Sequence, residues 1–464
     1  MSENTVQQPG SGKIKFIVGA LLGAFLFLAP IPTGDGAFNI PLGLIIDRVN
    51  DVLEFGEADT EDIRVWLAYS FIIISCLGTL IAHIFKPKFI MENERLKSVF
   101  VTNWLYTITR VVAVIIMTMV IFDFGPAEVI DRWDGGGLMV FDLITSLTTI
   151  FLILSFATPL LTEFGLMEFV GVLIKKFVNL LFRLPGRAAV DLAASWFGSS
   201  AVAVMITRDQ HEKGFYTGRE AAVICANFAV VSVPFSFIIA STVGVESYFA
   251  IWYLIVIITC VIIGIIAPRI WPLSQLPDTY LEGVTNQLDE EVEEGGSRFE
   301  KAVTLASARA DEFRPFQFVE AGLNGWVTAF MDLFPVIVAW GTIAIIINAT
   351  TPIFDWIAWP MGLILEVFRV PGGAEYASAT VVGFIDMFLP ALVIGSETYF
   401  NTRFILGALS IVQIIYMAET GILILKSKMP IGLGKLAILF LMRTLIGLPI
   451  IIALTYLASL IGLI

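Results

Sequence analysis

The sequence has few charged side chains, and this shortage argues against an ordinary soluble protein. Charged residues make up 15% of the 464 residues, whereas an average soluble domain carries about 25%. Hydrophobic residues make up 57%, and the mean hydropathy is +0.86. Apolar runs of about 20 residues, long enough to cross a bilayer as helices, recur along the chain. The composition therefore predicts an integral membrane protein with an all-α, polytopic fold.

Histidine and cysteine are also scarce, and this argues against several enzyme classes. The chain has two histidines and three cysteines. The histidines belong to no zinc-protease motif, and no glycine-rich phosphate-binding loop is present. Cys76, Cys225 and Cys260 lie in apolar runs without metal-ligand spacing, as small buried hydrophobic side chains do. We therefore expect no enzyme, no ATP-driven pump and no bound cofactor.

The charges that are present lie mostly between the apolar runs. The net charge is −13, which makes nucleic acid an unsuitable partner. Nine membrane spans are predicted, at about 14–32, 65–85, 103–123, 138–161, 219–242, 247–270, 325–349, 403–425 and 434–462. The loops rich in lysine and arginine then all fall on one side, which the positive-inside rule places in the cytoplasm. We expect a multi-pass protein of the plasma or inner membrane with a cytoplasmic N-terminus.

Two further apolar segments are too interrupted to be ordinary spans. Each follows a Phe-Arg-x-Pro-Gly corner, at Phe182–Gly186 and at Phe368–Gly372. The segments cover about 186–207 and 372–396, and glycine and polar residues break both. Broken backbone at membrane depth persists only where protein or a water-filled cavity satisfies its polar groups. We therefore predict two re-entrant helical hairpins, and such pairs mark transporter binding sites.

The order of spans and hairpins repeats within the chain. Three crossings separate the start of one unit from the start of the next, so the second unit enters the membrane from the opposite side. This arrangement predicts an inverted repeat with sites near the midplane. The predicted regions are an N-terminal membrane region at 1–137, a first repeat at 138–270, an acidic cytoplasmic insert at 271–317 and a second repeat at 318–464.

The two hairpin sequences carry a resemblance to a known family. Pro185-Gly186 followed by Ala194-Ser195-Trp196-Phe197-Gly198-Ser199-Ser200, and the related Pro371-Gly372 followed by Gly383-Phe384-Ile385-Asp386, resemble the nucleoside-recognition Gate domain superfamily. The chain looks most like the YjiH family within it. The resemblance implies an architecture similar to that of concentrative nucleoside transporters. Those transporters are coupled to sodium or protons and are trimeric, so a homo-oligomer is the implied assembly.

One group of residues is predicted to bind a coupling ion. Pro234 lies inside an apolar span and frees a carbonyl one turn earlier, near Val230. Freed carbonyls and hydroxyls beside a helix break can replace the hydration shell of sodium. A carboxylate inside an apolar segment is itself a candidate for function. The predicted ion-binding residues are Asp191, Gly198, Asn227, Val230 and Ser232.

A second group is predicted to bind the solute. The serines lie at the first hairpin break, and Asp386 lies near the tip of the second hairpin. Gln413, Tyr416 and Thr420 have the spacing of one helical face, with Glu419 beside them in an apolar span. The predicted solute-binding residues are Ser195, Ser199, Ser200, Asp386, Gln413, Tyr416, Glu419 and Thr420.

These features together predict a secondary active transporter of a small polar organic solute. Alternating access around the two hairpins would move the solute, and sodium is the expected coupling ion, with protons as the other possibility. Two alternatives stay open. One is a nucleoside or nucleobase permease, which the family resemblance implies. The other is a Gate-domain membrane protein that does not transport and works with a partner protein.

Overall fold

The computed structural model describes residues 10–29, 31–32, 38–53, 59–132, 135–198, 200–281, 297–395 and 398–464. The chain divides into two compact units. The first unit contains Met1–Pro41, Ala157–Gln317 and Ala358–Ile464, and the second contains Leu42–Phe156 and Phe318–Ile357. The predicted hairpins and the spans that follow them all belong to the first unit. The four regions expected from the sequence remain predictions.

The described residues are predominantly helical, and many of the helices are apolar. Among the described residues, seven helices are long and apolar enough to cross a membrane, namely Ile63–Ile84, Trp104–Ile121, Leu138–Thr162, Gly218–Thr242, Glu246–Arg269, Phe318–Ile347 and Leu433–Leu460. This confirms an all-α, multi-pass membrane protein. The expected spans at 14–32 and 403–425 also contain helix, at Gly10–Leu28 and Phe400–Leu425, where the second is interrupted. The total of nine spans stays a prediction.

The first unit holds the elements that carry the candidate site. Its strands Ile31–Pro32 and Phe38–Asn39 form a short antiparallel pair. Its helical segments lie wholly or largely at Gly10–Leu28, Pro159–Thr162, Leu166–Phe177, Val178–Phe182, Ala188–Phe197, Ser200–Glu212, Gly218–Phe228, Val233–Thr242, Glu246–Tyr248, Phe249–Ile266, Ala267–Arg269, Leu273–Gln275, Arg298–Glu312, Ile353–Val367, Ala379–Val382, Leu389–Ile394, Phe400–Gln413, Met417–Gly421, Ile422–Leu425 and Leu433–Leu460.

The second unit is also helical. Its segments lie wholly or largely at Pro41–Leu53, Asp59–Glu61, Ile63–Ile84, Lys88–Met91, Glu94–Phe100, Trp104–Ile121, Ala127–Ile130, Leu138–Leu143, Ile144–Ala157, Pro315–Thr328, Ala329–Leu333, Phe334–Val336, Ile337–Gly341 and Thr342–Thr350. Inside it, the buried Arg110 guanidinium donates to the Asp332 carboxylate, to the Thr79 hydroxyl and, at 3.0 Å, to the Val99 carbonyl. Pairing of this kind is what an ionisable residue in an apolar span requires.

The hydrophilic insert expected at 271–317 contributes one docked helix. The sequence predicts a helix near 297–313, and the structure has it at Arg298–Glu312, which we call the insert helix. Ala302, Ala306 and Ala310 lie on its buried face. Gly165, with a φ of +85°, brings its backbone so close to Ala306 that a Cβ there would lie 2.3 Å from the Ala306 carbonyl oxygen. This approach requires glycine for both space and conformation. The acidic stretch 282–296 lies outside the described residues.

Candidate functional site

The span expected at 219–242 is divided by a short extended segment, and we call it the first broken helix. It consists of Gly218–Phe228 and Val233–Thr242. Thr217 and Glu220 start the first half with a reciprocal capping box. The break follows from Pro234, whose ring clashes with the carbonyl four residues earlier and whose nitrogen carries no hydrogen. Ser232 then caps the second half, its hydroxyl accepting from the Phe235 amide at 3.5 Å.

The span expected at 403–425 is also divided, and we call it the second broken helix. Phe400–Gln413 ends at a non-helical segment, 414–416, before helix resumes at Met417. Ile414 has a φ of +63°, a conformation that is costly for a β-branched residue. The sequence does not show this break, because no proline or glycine lies at it. Gln413, Tyr416 and Thr420 therefore do not share one continuous helical face, which corrects the expectation from their spacing.

The first predicted hairpin contains two helices, Ala188–Phe197 and Ser200–Glu212, joined at Gly198 and Ser199. Gly198 caps the first of them, and its amide donates to the Ala194 carbonyl at 3.0 Å. Ser199 lies outside the described residues. The second predicted hairpin is more irregular, with the short helices Ala379–Val382 and Leu389–Ile394. Re-entry of either segment into a membrane stays a prediction.

Hydrogen bonds join the first hairpin segment to both broken helices. The buried Ser195 hydroxyl donates to the Val230 carbonyl at 2.6 Å, at the first break. The Ser200 hydroxyl pairs with the Tyr416 hydroxyl, at the second break. The structure thus brings these four predicted site residues together in two pairs.

The second hairpin segment reaches the second broken helix in a similar way. The Phe384 carbonyl accepts from the Met417 amide at 2.8 Å. The Gln413 side-chain amide donates to the Thr380 carbonyl at 2.7 Å and to the Thr444 hydroxyl at 2.8 Å. The sequence does not predict the contacts of Phe384, Thr380 and Thr444 with this helix, because those contacts depend on the unpredicted break.

Arg443 is the main residue that the sequence reasoning did not place in the site. It is fully buried in the helix Leu433–Leu460, which we call the last helix. Its guanidinium donates to the Val412 carbonyl at 2.7 and 3.0 Å, to the Gln413 carbonyl at 3.1 Å and to the Asn227 side-chain oxygen. The indication in the sequence is that Arg443 lies in an apolar run, where a charged side chain needs a polar partner. It joins the end of one broken helix to a side chain of the other.

Two amide atoms of this cluster lack a hydrogen-bond partner within the described part of the chain. They are Asn227 Nδ2, a donor, and Gln413 Oε1, an acceptor, and both are buried. A buried polar atom without a partner costs about 1–3 kcal/mol. The Gln413 oxygen lies against Gly383, where a Cβ would approach it to 2.4 Å. A donor and an acceptor so placed suit a polar ligand with groups of both kinds.

The remaining predicted residues have local partners or are only partly described. Asp191 is buried, and its carboxylate accepts from the Thr207 hydroxyl at 2.8 Å. Asp386 is half-buried and accepts from the Phe388 amide at 2.8 Å. The buried Thr420 hydroxyl donates to the Ile414 carbonyl at 3.1 Å and so supports the second break. Glu419 lies in the segment Met417–Gly421, and its side chain is outside the described residues.

Comparison with known proteins finds a family model, a relative and a solved structure to which this chain is similar. The Gate family model, described as nucleoside recognition, matches residues 144–246, which include the first hairpin segment and the first broken helix. An uncharacterized protein of Alkalihalophilus pseudofirmus is 40% identical over 443 residues, covering 95% of this chain and 94% of that protein. The solved structure of CNTnw in an inward-facing substrate-bound state is similar over 97% of this chain and 95% of that one, at 16% identity and a TM-score of 0.37. The chain carries a Gate domain at 144–246 and belongs to one family with its relative from A. pseudofirmus.

Proposed function

We propose that this protein is a membrane transporter, a secondary active carrier of a small polar organic solute. The observation that carries the proposal is the meeting of two broken helices with both hairpin segments in one compact unit. Helix breaks expose backbone polar groups that an apolar bilayer cannot satisfy, so they are retained where a solute or ion binds. The match to a Gate model described as nucleoside recognition agrees with a small-molecule ligand.

The solute would bind beside the second break. Asn227 Nδ2 and Gln413 Oε1 offer a donor and an acceptor without described partners. The hydroxyls of Ser200 and Tyr416 lie at the same break and can exchange their mutual bond for bonds to a solute. Asp386 and Glu419 are the carboxylates predicted from the sequence to bind cationic or hydroxyl groups of the solute.

Sodium is the proposed coupling ion, and we place it at the first break. Hard cations prefer oxygen ligands, and Val230 and Ser232 offer oxygens where the helix is interrupted, near Ser195. Asn227 suits this role less than the sequence suggests, because its oxygen already accepts from the Arg443 guanidinium, whose charge repels sodium. We therefore assign Asn227 to the solute.

The test is a thermal-shift screen of the purified protein in sodium or choline buffer. Nucleosides, nucleobases, amino acids and polyamines would be added singly, and hits would be followed by uptake into proteoliposomes. A ligand at one hundred times its Kd stabilises a protein by about 2.7 kcal/mol. We expect a sodium-dependent shift with one solute class, and nucleosides as that class would support the nucleoside permease.

Substitutions then place the site. Tyr416→Phe removes the hydroxyl that pairs with Ser200 and should abolish the solute-dependent shift. The matched control is Tyr253→Phe, because Tyr253 is equally buried in the same unit and its hydroxyl has no described partner. Asp386→Asn and Glu419→Gln test the two predicted carboxylates. No shift or uptake with any solute would contradict the carrier and favour a Gate-domain protein that needs a partner.

A further inference from the structure

A cavity in the first unit lies at the start of the first broken helix, away from the break itself. It has a volume of about 220 Å³ and lies where several membrane helices begin or end. Arg183, Arg219 and Arg269 line it, together with Glu220 and Asp278. Pockets for drug-sized ligands are usually about 300–1,000 Å³. This cavity is therefore better suited to one small charged group than to a whole solute.

The three arginines reach the cavity from separate elements. Arg183 follows the segment Val178–Phe182, Arg219 lies in the first turn of Gly218–Phe228, and Arg269 ends the segment Ala267–Arg269. The Arg219 guanidinium donates to the Pro268 carbonyl at 3.3 Å, and that of Arg269 donates to the Leu181 carbonyl at 3.1 Å. These neutral acceptors hold the side chains in place without compensating their charge.

Several donors of the three side chains remain available. Each guanidinium carries five N–H donors in a planar fork that matches phosphate oxygens. In the described part of the chain, none of the three forms an ion pair with a carboxylate within 4.0 Å. The two acidic side chains of the cavity both accept hydrogen bonds from Thr217. Glu220 accepts from its amide at 2.8 Å, and Asp278 accepts from its hydroxyl at 2.7 Å.

The surroundings of the cavity are those of a membrane boundary. Exposed apolar side chains lie next to it in the sequence on both sides, with Phe177 and Leu180 before Arg183 and Trp271 after Arg269. Tryptophan is enriched where the hydrocarbon core meets the headgroups. Phospholipid phosphates lie at this depth, while their acyl chains cover exposed apolar side chains just below it.

We propose that this cavity binds the phosphate of an anionic phospholipid headgroup. Arg183, Arg219 and Arg269 would hold the phosphate oxygens, and the apolar residues beside them would contact the acyl chains. Basic pockets between membrane helices recognise anionic lipids by this chemistry. The positive-inside rule places these arginines at the cytoplasmic surface.

The test measures lipid binding to the purified, delipidated protein by native mass spectrometry. Phosphatidylglycerol and phosphatidylcholine would be titrated separately. We expect phosphatidylglycerol to bind at least tenfold more tightly, and Arg183→Gln to remove most of this preference. Arg183 makes no described side-chain hydrogen bond, so this change should leave the fold intact. Arg219→Gln, which loses only the bond to Pro268, is the second variant.

The chain offers a matched control in Arg369. It occupies the same place as Arg183 in the other Phe-Arg-x-Pro-Gly corner and has nearly the same φ, +55° against +57°. Arg369→Gln should leave the lipid preference unchanged. Equal binding of both lipids, or equal effects of Arg183→Gln and Arg369→Gln, would overturn the proposal. Displacement of the lipid by millimolar inorganic phosphate would also overturn it, by assigning the arginines to free phosphate.

Discussion

Replacement of Arg443 by methionine should strongly destabilise the first unit. The change removes four hydrogen bonds and leaves the Val412 carbonyl and the Asn227 oxygen without their guanidinium donor. The Gln413 carbonyl keeps its bond from the Ile415 amide at 2.7 Å. Two buried acceptors at about 1–3 kcal/mol each set an upper bound near 6 kcal/mol. Four membrane hydrogen bonds at about 0.6 kcal/mol set a lower bound near 2.4 kcal/mol.

We therefore expect Arg443→Met to lower the free energy of unfolding by about 2.4–6 kcal/mol. The assay is reversible unfolding in mixed micelles, followed by tryptophan fluorescence. Lys435→Met is the control, because Lys435 lies on the same last helix but is exposed, and it should change stability by less than about 0.5 kcal/mol.

A double variant tests the cause of the loss. Asn227→Leu should lower the free energy of unfolding less in the Arg443→Met background than in the unchanged protein. In that background the Asn227 oxygen has already lost its guanidinium donor. A loss below about 1 kcal/mol for Arg443→Met, or strict additivity of the two changes, would refute the reasoning that Arg443 is the structural link between the broken helices.

Three further results are expected. Asp332→Asn should lower stability by about 1–3 kcal/mol in the same unfolding assay, because it leaves the buried Arg110 charge unpaired; an unchanged midpoint would contradict it. Gly165→Ala should release the insert helix, since a Cβ would meet the Ala306 carbonyl oxygen at 2.3 Å, and faster proteolysis of that helix would show it. Burial raises the pKa of Glu168 above its ordinary value of 4.5, so the folded protein binds the proton more tightly than the unfolded chain does. The free energy of unfolding should therefore fall as the pH rises above 4.5. Glu168→Gln should flatten this fall in melting temperature, and an unchanged pH profile would exclude Glu168 as its source.

The first break was foreseeable from the sequence, and the second was not. The effect of Pro234 can be predicted from the sequence alone, because the ring and the missing N–H of a proline disrupt the preceding turn of any helix interior. At 414–416 the sequence is Ile-Ile-Tyr, which gives no local reason to leave the helix. That break depends on groups distant in the sequence, such as the Phe384 carbonyl and the Arg443 guanidinium.

Composition and periodicity sufficed for the membrane class and for most helices. The last helix was expected to continue through Pro449, and it does so over 28 residues. The insert helix was also predicted, but its docking was not, because the buried alanines give no sign of their partner. The contacts of the candidate site required the tertiary structure. The Ser195 hydroxyl, for example, bonds to the Val230 carbonyl, which lies 35 positions further along the chain.

The guanidinium at the second break makes the two broken helices electrically unequal. A helix that ends inside a membrane presents carbonyls with partial negative charge, and some cation must offset it. At Gln413 the protein supplies that cation itself, permanently, through Arg443. At Phe228, where the first broken helix ends its opening half, the part of the chain described here places no such arginine on the backbone. One helix end therefore has a fixed cation on its carbonyls, whereas the other depends on a mobile cation, the role proposed above for sodium.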